Sequence, residues 1–474
     1  MKNFFELIVI CFIFCVASLV PLIEPSEARF ALMAKLSGGF PLVPVFYDNE
    51  NNLVPYLSKP PLYIWLVKLF QQFLPLELAS RFPSLLSSVG FLFTLKFLEK
   101  KLNLSDLSKA VFLFPSFFAT SVLGLIDPIF SFLIFIWFVT FFLLKQHLLA
   151  GVALGLAFLC KGPVALALTV GSVAYAVYLG IIKIWKYLAC LLVAVILGGG
   201  WLVFVKLQIP GSLRYYLLQE NIFRFLGTAD LQYGTLHREP YGLAALTSLV
   251  FFVPFLKPTL KSFASALGLR YFTDREMSEL SKLVVAQIFW VILFFSLSRS
   301  FIPSYLLPLS FLVPLLVAIE GYQISNFWTS TYKVLAFGFL ILSTIFLLPK
   351  ATLLVSLQVL LFAGMLFLGQ RQSAALANLI FSLTTFSLIG FSRTTAEIAE
   401  LKVLDCQELV SRYERHHGLE LYSPIPVKRL SPSAVPSEGS CVIFEKSDFN
   451  LGATQEIVGQ TQNYIVVKWR FKSH

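Results

Sequence analysis

The sequence predicts an all-α polytopic membrane protein of about thirteen transmembrane helices, followed by a small C-terminal α/β domain. Of its 474 residues, 57% are hydrophobic and 13% are charged, and its mean hydropathy is +0.79. Soluble domains carry about 25% charged residues. Apolar runs recur through residues 1–391, and most approach the ~20 residues that a helix needs to cross a bilayer.

Thirteen apolar segments are predicted to span the membrane. They are Phe4–Ile23, Leu78–Leu95, Ala110–Ile126, Pro128–Leu144, Leu148–Leu159, Val164–Ile182, Tyr187–Val205, Tyr241–Leu256, Leu283–Leu297, Ile302–Ile319, Val334–Leu348, Ala351–Leu368 and Ala374–Phe391. The first resembles a signal peptide in part, since Ser26-Glu27-Ala28 loosely matches a cleavage site. We interpret it as an uncleaved span, because its apolar run is long for a signal core and many spans follow.

The distribution of basic residues predicts the orientation of the chain. Short loops on one side hold most of the lysines and arginines, among them Lys96, Lys100, Lys101, Lys109, Lys145, Lys183, Lys186, Lys257, Lys261, Arg270, Arg275, Lys282, Lys333 and Arg371. Cytoplasmic loops carry such an excess, so we place the N-terminus in the cytoplasm and the C-terminal tail, after an odd number of spans, outside. This anchoring also explains the net charge of +11. No basic run suggests nucleic-acid binding.

Two long loops on the predicted outer face carry the candidate functional residues. The first covers residues 24–81 and contains two short helices. We expect Ser26 to cap the first, which ends near Lys35, and the second to begin at Pro60-Pro61 and lie flat on the membrane. The second loop covers residues 206–240. Because both loops emerge on one side, we expect them to meet over one site.

Several charged or polar residues in or near these loops are candidates. His237 is interpreted either as a metal ligand or acid/base or as a hydrogen-bonded structural residue, since no partner lies at ligand spacing. Asp127 either caps a helix beside Pro128 or serves the site. Lys161 and Arg299 lie on the predicted outside, where the positive-inside bias would not put them, so we favour functional roles for both.

The tail from residue 392 to residue 474 is predicted to form a small periplasmic α/β domain. Its pattern predicts a helix over Thr394–Arg415 and strands at Cys441–Phe444 and Tyr464–Trp469. Cys406 and Cys441 form a disulfide if the tail faces an oxidising compartment, or remain free thiols. The sequence has no P-loop, Rossmann glycine pattern or Ser/His/Asp arrangement, so ATP-driven transport and hydrolysis gain no support.

A series of short segments resembles GT-C glycosyltransferases of the aminoarabinose-transferase type, which are similar to protein O-mannosyltransferases. The segments are EPSEARFALMAKL, YLSKPPLYIWL, SRFPSLLSSV, LIDPIFSF, LCKGPVALAL, ENIFRFLG…HREPYG and SRSFIPSYLLPL, in family order across roughly residues 5–320. The resemblance implies thirteen spans, a cavity beneath the outer loops and a polyprenyl-phosphate-linked sugar as donor. It implies lipid A, or a related glycan or protein, as acceptor.

The resemblance also implies roles for individual residues. Lys59 is similar to the lysine that binds the donor phosphate, and Arg29 to an arginine that lines the site. Further positions similar to the family's polar pattern are Lys161, Arg224, His237 and Arg299, with Tyr56 close to Ser58 in the first loop. Lysines and arginines in a water-poor site stabilise the charge that builds on the departing phosphate.

Two positions depart from the family pattern. Ser26 stands where the family has a catalytic aspartate, so we predict that Glu27, or else Glu24, supplies the carboxylate. Ser58 stands where the family has an acidic residue before Lys-Pro. In the family that residue contributes to metal binding, so with Ser58 here a divalent metal is an alternative that we do not favour, and we assign no metal ligand.

Together these observations predict a multi-pass enzyme of a bacterial inner membrane whose active site faces the periplasm. It would move a sugar from a polyprenyl-phosphate donor to lipid A or a related acceptor. One alternative is the same fold with a protein or other glycan acceptor. The other is a non-catalytic binder or carrier of polyprenyl phosphate, which the serines at positions 26 and 58 favour.

Overall fold

A computed structural model describes most of the membrane part and portions of the tail. The described residues are 4–23, 25–48, 52–104, 111–233, 236, 238–266, 277–322, 326–347, 351–365, 370–392, 406, 409–411, 419–423, 427–429, 440–445, 456–460 and 464–468.

The described chain is mainly helical. Its helices are α1 Phe4–Leu19, α2 Ser26–Leu36, α3 Leu62–Gln71, α4 Leu76–Leu102, α5 Pro115–Val122, α6 Ile126–Phe138, α7 His147–Lys161, α8 Val164–Tyr178, α9 Ile184–Ala194, α10 Gly200–Gln208, α11 Ser212–Arg214, α12 Arg224–Leu226, α13 Leu243–Phe252, α14 Leu256–Ala266, α15 Glu279–Ser296, α16 Leu309–Ile319, α17 Asn326–Leu347, α18 Thr352–Met365, α19 Gln370–Ser392 and α20 Leu419–Tyr422. Short 3-10 turns occupy Val111–Leu113 and Pro303–Leu306, and π-helical turns occupy Val139–Leu143, Val195–Gly199 and Tyr215–Phe223.

Every predicted apolar segment overlaps helical structure in its described residues, but the predicted number of thirteen spans is not confirmed. Six described helical segments are long and apolar enough to cross a membrane, or seven if α13 and α14 form one span. These two helices meet at an angle of 120°. The predicted span Tyr241–Leu256 therefore ends early, at Phe252, because Pro254 has no N–H to continue the helical hydrogen bonds.

The first long loop contains the two helices that the sequence predicts. Helix α2 begins at Ser26 as expected, but the predicted Ser26 cap is wrong, because Pro25 is the N-cap residue and no side chain caps the helix. Between α2 and α3, strands β1 Val45–Tyr47 and β2 Leu53–Pro55 pair as an antiparallel hairpin. The ammonium of Lys68 on α3 donates to the carbonyl oxygens of Ala34 and Ser37, which ties α3 to the end of α2.

The tail contains a five-stranded mixed sheet. Its strands are β3 Leu409–Ser411, β4 Val427–Arg429, β5 Cys441–Glu445, β6 Glu456–Gln460 and β7 Tyr464–Lys468, in the order β4-β3-β5-β7-β6. The predicted strands at Cys441–Phe444 and Tyr464–Trp469 are confirmed over β5 and β7. The predicted helix Thr394–Arg415 is wrong at β3, because buried Leu409 and Val410 pair in parallel with both β4 and β5.

Two contacts fix the tail internally and against the membrane part. Cys406 and Cys441 form a disulfide with their Cα atoms 5.8 Å apart, so the free-thiol alternative is wrong. The backbone N–H of Leu22 donates to the hydroxyl of Tyr422 on α20 at 3.1 Å. Leu421 packs beside it on Ala28 and Ala31 of α2. The tail therefore contacts the start of the first long loop.

Candidate functional site

Charged side chains from both long loops and from two helix ends converge on Lys59. The charges of Arg224, Glu220, Lys161 and Asp127 all lie close enough to act on its ammonium group. Glu220 and Arg224 belong to the second loop, whereas Asp127 opens α6 and Lys161 ends α7. The predicted meeting of the two loops is therefore confirmed, and it occurs around Lys59. We call these five residues the Lys59 cluster.

The hairpin and α3 hold Lys59 from both sides. The N–H of Tyr56 donates to Pro44 O at 2.7 Å, which closes the end of the hairpin. The hydroxyl of Tyr233, from the second loop, donates to Pro55 O, and the rings of Tyr56 and Tyr233 pack with centroids 4.9 Å apart. After Lys59, two prolines lead directly into α3. Lys59 is thus presented by a short segment anchored at both ends.

Glu220 joins the two loops through its carboxylate. It lies in the π-helical turn Tyr215–Phe223, where residues five apart face one another. Its Oε1 accepts from the Ser58 hydroxyl and, at 3.1 Å, from the Tyr215 hydroxyl. Its Oε2 accepts from Arg224 Nη1 at 2.7 Å. Burial disfavours the charged form of Glu220, but Lys59 and Arg224 outweigh this effect and lower the pKa of its carboxyl.

Asp127 and Lys161 form an ion pair on the other side of the cluster. The Lys161 ammonium donates to Asp127 Oδ1, and the Ser304 hydroxyl donates to Asp127 Oδ2 at 3.2 Å. The same ammonium lies 3.9 Å from the centroid of the Tyr305 ring, which favours a cation on its face. Both predicted site residues therefore lie in the cluster. Asp127 neutralises Lys161, and the alternative that it caps α6 is wrong, because Leu125 is the N-cap residue and no side chain caps the helix.

Lys59 differs from its neighbours because no anion among the described residues pairs with it. It makes no described hydrogen bond or ion pair, although the charges around it reach its ammonium. Burial, with the positive charges of Arg224 and Lys161, lowers the pKa of Lys59 from 10.5 to about 7, despite the opposing effect of Glu220 and Asp127. An anion bound at Lys59 would stabilise its charged form.

Two further predicted cations border the cluster without an anionic partner in the described part of the chain. Arg29 lies over the Phe30 ring at 5.2 Å, its buried Nε has no hydrogen-bond acceptor, and its charge reaches Tyr56. Arg299 lies over the Tyr241 ring at 5.3 Å, and its Nε is likewise without an acceptor. The backbone of Arg299 is held by the second loop, since its N–H donates to Phe225 O at 2.9 Å.

Glu27, the predicted catalytic carboxylate, is engaged elsewhere. Its side chain is 1% exposed and pairs with the fully buried guanidinium of Arg81 at 2.5 Å. It also accepts from the backbone N–H groups of Gly124 at 2.6 Å and Ile23 at 3.0 Å. These contacts favour a structural role for Glu27, and its catalytic role stays a prediction. The alternative, Glu24, and the candidate His237 lie outside the described residues.

The described residues do not include a group of side chains arranged to bind a metal ion. Within the described residues, no three His, Cys, Asp or Glu side chains lie together as a metal ion would require. The two carboxylates of the Lys59 cluster are each already bound by a cation and a hydroxyl group. We derive no step through a metal, and the expectation about a metal stays a prediction, since Glu24 and His237 lie outside the described residues.

The sequence did not single out Glu220 or Tyr215 as site residues. Glu220 and Arg224 stand four residues apart, which on any helix predicts a surface ion pair. Only the π-helical turn and the contact with Ser58 reveal that the pair is buried in the site. The absence of an acidic residue at position 58 is the one signal in the sequence that another carboxylate fills that space.

The turn after Lys161 offers a test of how tightly the site is built. Gly162 has φ +70°, and a Cβ there would lie 1.7 Å from the Tyr216 hydroxyl. Gly180 has the same φ, but a Cβ there would meet nothing within 4 Å. We expect Gly180→Ala to cost only backbone strain, about 1–3 kcal/mol, and Gly162→Ala to cost clearly more. Thermal unfolding of both variants in detergent would measure this. Equal losses would contradict the packing of Tyr216 on this turn.

Comparisons with known proteins agree with the fold. No family model matches the chain. The structure is similar to that of ArnT from Cupriavidus metallidurans, solved with undecaprenyl phosphate and in the apo state. For the complex the TM-score is 0.74 at 16% identity, covering 98% of this chain and 97% of ArnT. The chain therefore has the ArnT fold, and the predicted resemblance to aminoarabinose transferases is confirmed.

The chain is also similar in sequence to proteins of two other bacteria. An uncharacterised protein of Aquifex aeolicus is 28% identical over 363 residues, covering 73% of this chain and 78% of that protein. An undecaprenyl phosphate-alpha-4-amino-4-deoxy-L-arabinose arabinosyl transferase of Wigglesworthia glossinidia brevipalpis is 25% identical over 338 residues. That match covers 64% of this chain, which spans 56% of the transferase's length.

Proposed function

We propose that this chain is a membrane glycosyltransferase that moves a sugar from a polyprenyl-phosphate donor to lipid A or a related acceptor. The observation that carries the proposal is Lys59, a cation without an anionic partner in the described chain, at the centre of a charged cluster. Arg29 and Arg299 border this cluster and likewise have no anionic partner in the described chain. The ArnT fold and the transferase relative support the choice of a polyprenyl phosphate as the anion that fills this site.

The chemistry follows from the charges. In the transfer, the bond between the sugar's anomeric carbon and the donor phosphate oxygen breaks, and a bond to an acceptor oxygen forms. The departing phosphate gains one negative charge, while the acceptor loses a proton if it was a hydroxyl. Lys59 and Arg224 would bind the phosphate and stabilise that added charge more than the ground state, which is the condition for catalysis.

The hydrogen bonds of the two cluster carboxylates indicate which kind of acceptor the site suits. Asp127 and Glu220 are each held by a cation and a hydroxyl group, so neither is free to take a proton. An acceptor that is already ionised, such as a phosphate group, needs no general base. We therefore favour a phosphate-bearing acceptor such as lipid A over a protein hydroxyl.

A direct assay tests the proposal. Purified full-length protein would be mixed with a panel of polyprenyl-phosphate sugars and three acceptors, namely lipid A, another glycan and a protein. Sugar transfer to lipid A with release of polyprenyl phosphate supports the proposal. Transfer only to the glycan or the protein would replace the acceptor and leave the reaction class intact.

A second candidate is a non-catalytic binder of polyprenyl phosphate. The observation that favours it is the buried pair between Glu27 and Arg81, which occupies the carboxylate predicted to act in catalysis. In the same assay, tight binding of undecaprenyl phosphate without transfer from any donor would select this candidate.

We further propose that the site and the tail face the periplasm of a bacterial inner membrane. The positive-inside pattern supports this orientation, as do the disulfide and the contact of Tyr422 with Leu22. In a variant without other free cysteines, Lys261→Cys and Gln460→Cys are both exposed positions. We expect a membrane-impermeant maleimide to label Gln460→Cys from outside and Lys261→Cys only after permeabilisation. Labelling of both from one side would contradict the orientation.

A further inference from the structure

The second loop contains a buried carboxylate whose role the proposed function does not yet explain. We propose that Glu220 is a positioning residue for donor binding, which holds Ser58 and Arg224 together and places its negative charge beside Lys59, where the donor phosphate would bind. This inference rests on the proposed function and deepens it, since it states how the phosphate site is assembled from two loops.

Glu220 accepts hydrogen bonds from residues of both loops and so connects the loops to each other. One carboxylate oxygen accepts from Ser58, the residue directly before Lys59, and the other accepts from Arg224. Tyr215 donates to the first oxygen as well, and its own hydroxyl accepts from the N–H of Gln232 at 2.8 Å. Glu220 therefore ties Arg224 to the segment that carries Lys59, and these two cations would share one phosphate group.

The same contacts argue against Glu220 as a general base. Three donors occupy its oxygens, and its side chain is buried. Lys59 and Arg224 lower the pKa of its carboxyl against the effect of burial. A carboxylate that is bound on both oxygens and holds its proton weakly is a poor proton acceptor. Glu220 therefore contributes a fixed negative charge to the site and does not transfer a proton.

That charge acts on Lys59. Four charged groups face the Lys59 ammonium: Arg224 and Lys161 disfavour its protonation, whereas Glu220 and Asp127 favour it. Asp127 is already paired with Lys161. If Glu220 lost its charge, Arg224 and Lys161 would act with only Asp127 opposing them, and the pKa of Lys59 would fall below about 7. Lys59 would then be largely neutral at neutral pH and bind phosphate weakly.

Glu220→Gln separates this charge effect from a structural role. The amide keeps the size of the side chain and one acceptor oxygen for Arg224, but removes the charge. A purely structural Glu220 would leave the titration of Lys59 unchanged in a folded Glu220→Gln variant. The control is Asp230→Asn, since Asp230 is an exposed carboxylate of the same loop that does not act on Lys59.

The first measurement follows the Lys59 amine directly in the full-length protein in detergent. Its rate of modification by acetic anhydride, read by mass spectrometry across a pH series, gives its titration midpoint without any ligand. We expect a midpoint of about 7 in the unaltered protein. It should fall by about one unit in Glu220→Gln, because a nearby opposite charge shifts a pKa by about 1–3 units. It should not move in Asp230→Asn.

The second measurement is binding of undecaprenyl phosphate at each pH. At pH near 7, Glu220→Gln should bind about fivefold more weakly, approaching tenfold at pH values above both midpoints. The difference should vanish at pH values well below both midpoints, where Lys59 is charged in both proteins. Equal Lys59 midpoints in Glu220→Gln and the unaltered protein would overturn the inference. Failure of the unaltered protein to bind the lipid at any pH would overturn the proposed function instead, whatever the midpoints.

Discussion

Replacing Lys59 with methionine should abolish most donor binding and at the same time make the folded protein more stable. The ammonium of Lys59 has no anionic partner in the described chain, so the Lys59 cluster loses no internal ion pair when it is removed. A bound phosphate, in contrast, would lose a charge-assisted hydrogen bond. Such a bond contributes about 1.5–3 kcal/mol, or roughly a ten- to hundredfold change in affinity.

The stability gain has a defined pH dependence. The folded protein lowers the pKa of Lys59 from 10.5 to about 7, so the folded state binds the proton more weakly than the unfolded state does. The free energy of unfolding therefore falls as the pH drops from about 10.5 to 7, and the penalty is complete below 7. Lys59→Met removes this penalty. Its gain in melting temperature should be large at pH 6 and small near pH 10.5.

Lys68 provides the matched control on the adjacent helix. Its ammonium donates to the carbonyl oxygens of Ala34 and Ser37, so it stabilises the fold without belonging to the site. Lys68→Met should lower the melting temperature and leave the affinity of the folded fraction for undecaprenyl phosphate unchanged. If Lys59→Met lost stability and kept its affinity, Lys59 would be an anchor of α3 and the proposed donor site would be wrong.

The parts of the fold that follow from local pattern could be predicted from the sequence. Apolar length located the helices, and the prolines before Leu62 located the start of α3. The failures concern structure set by distant contacts. The sequence pattern predicts a helix at Leu409 and Val410, but these residues pair with β4 and β5 in a sheet. No local pattern predicts the strand order of that sheet. The number of spans also stays open, because several apolar helices are shorter than a bilayer requires.

The candidate site was predictable as a set of charged residues but not as a set of pairs. Asp127 and Lys161 could be named because charged residues are rare in and beside apolar segments, whereas Lys59 and Arg224 were named through the family resemblance. Which of them neutralise one another depends on side-chain geometry. The contact of Ser58 with Glu220 crosses 162 positions of sequence, and the contact of Arg81 with Glu27 crosses 54. Neither separation follows a helical or strand period.

Glu27→Gln should mainly unfold the protein, because its carboxylate neutralises a fully buried arginine. Arg81 is 0% exposed, and its guanidinium also donates to the carbonyl oxygens of Ala17 at 3.0 Å and Pro21 at 2.8 Å. These bonds hold it in place when Glu27 is changed, so its charge would remain buried without compensation. Breaking such a pair costs about 3–5 kcal/mol. We expect a large loss of thermal stability in detergent, with Glu77→Gln, a half-exposed carboxylate of α4, close to the unaltered protein.

A double-mutant cycle distinguishes this role from the catalytic one. If Glu27 acts by neutralising Arg81, Arg81→Met should cost much less stability in the Glu27→Gln background than in the unaltered protein, because the uncompensated charge is removed together with its source. A catalytic Glu27 predicts the opposite pattern, in which Glu27→Gln keeps the melting temperature and loses turnover, and the two substitutions add. That outcome would restore Glu27 as the carboxylate that replaces the family's aspartate. The coupled outcome leaves Glu24 as the predicted carboxylate, or leaves the chemistry to the Lys59 cluster alone, where an acceptor that is already anionic needs no base.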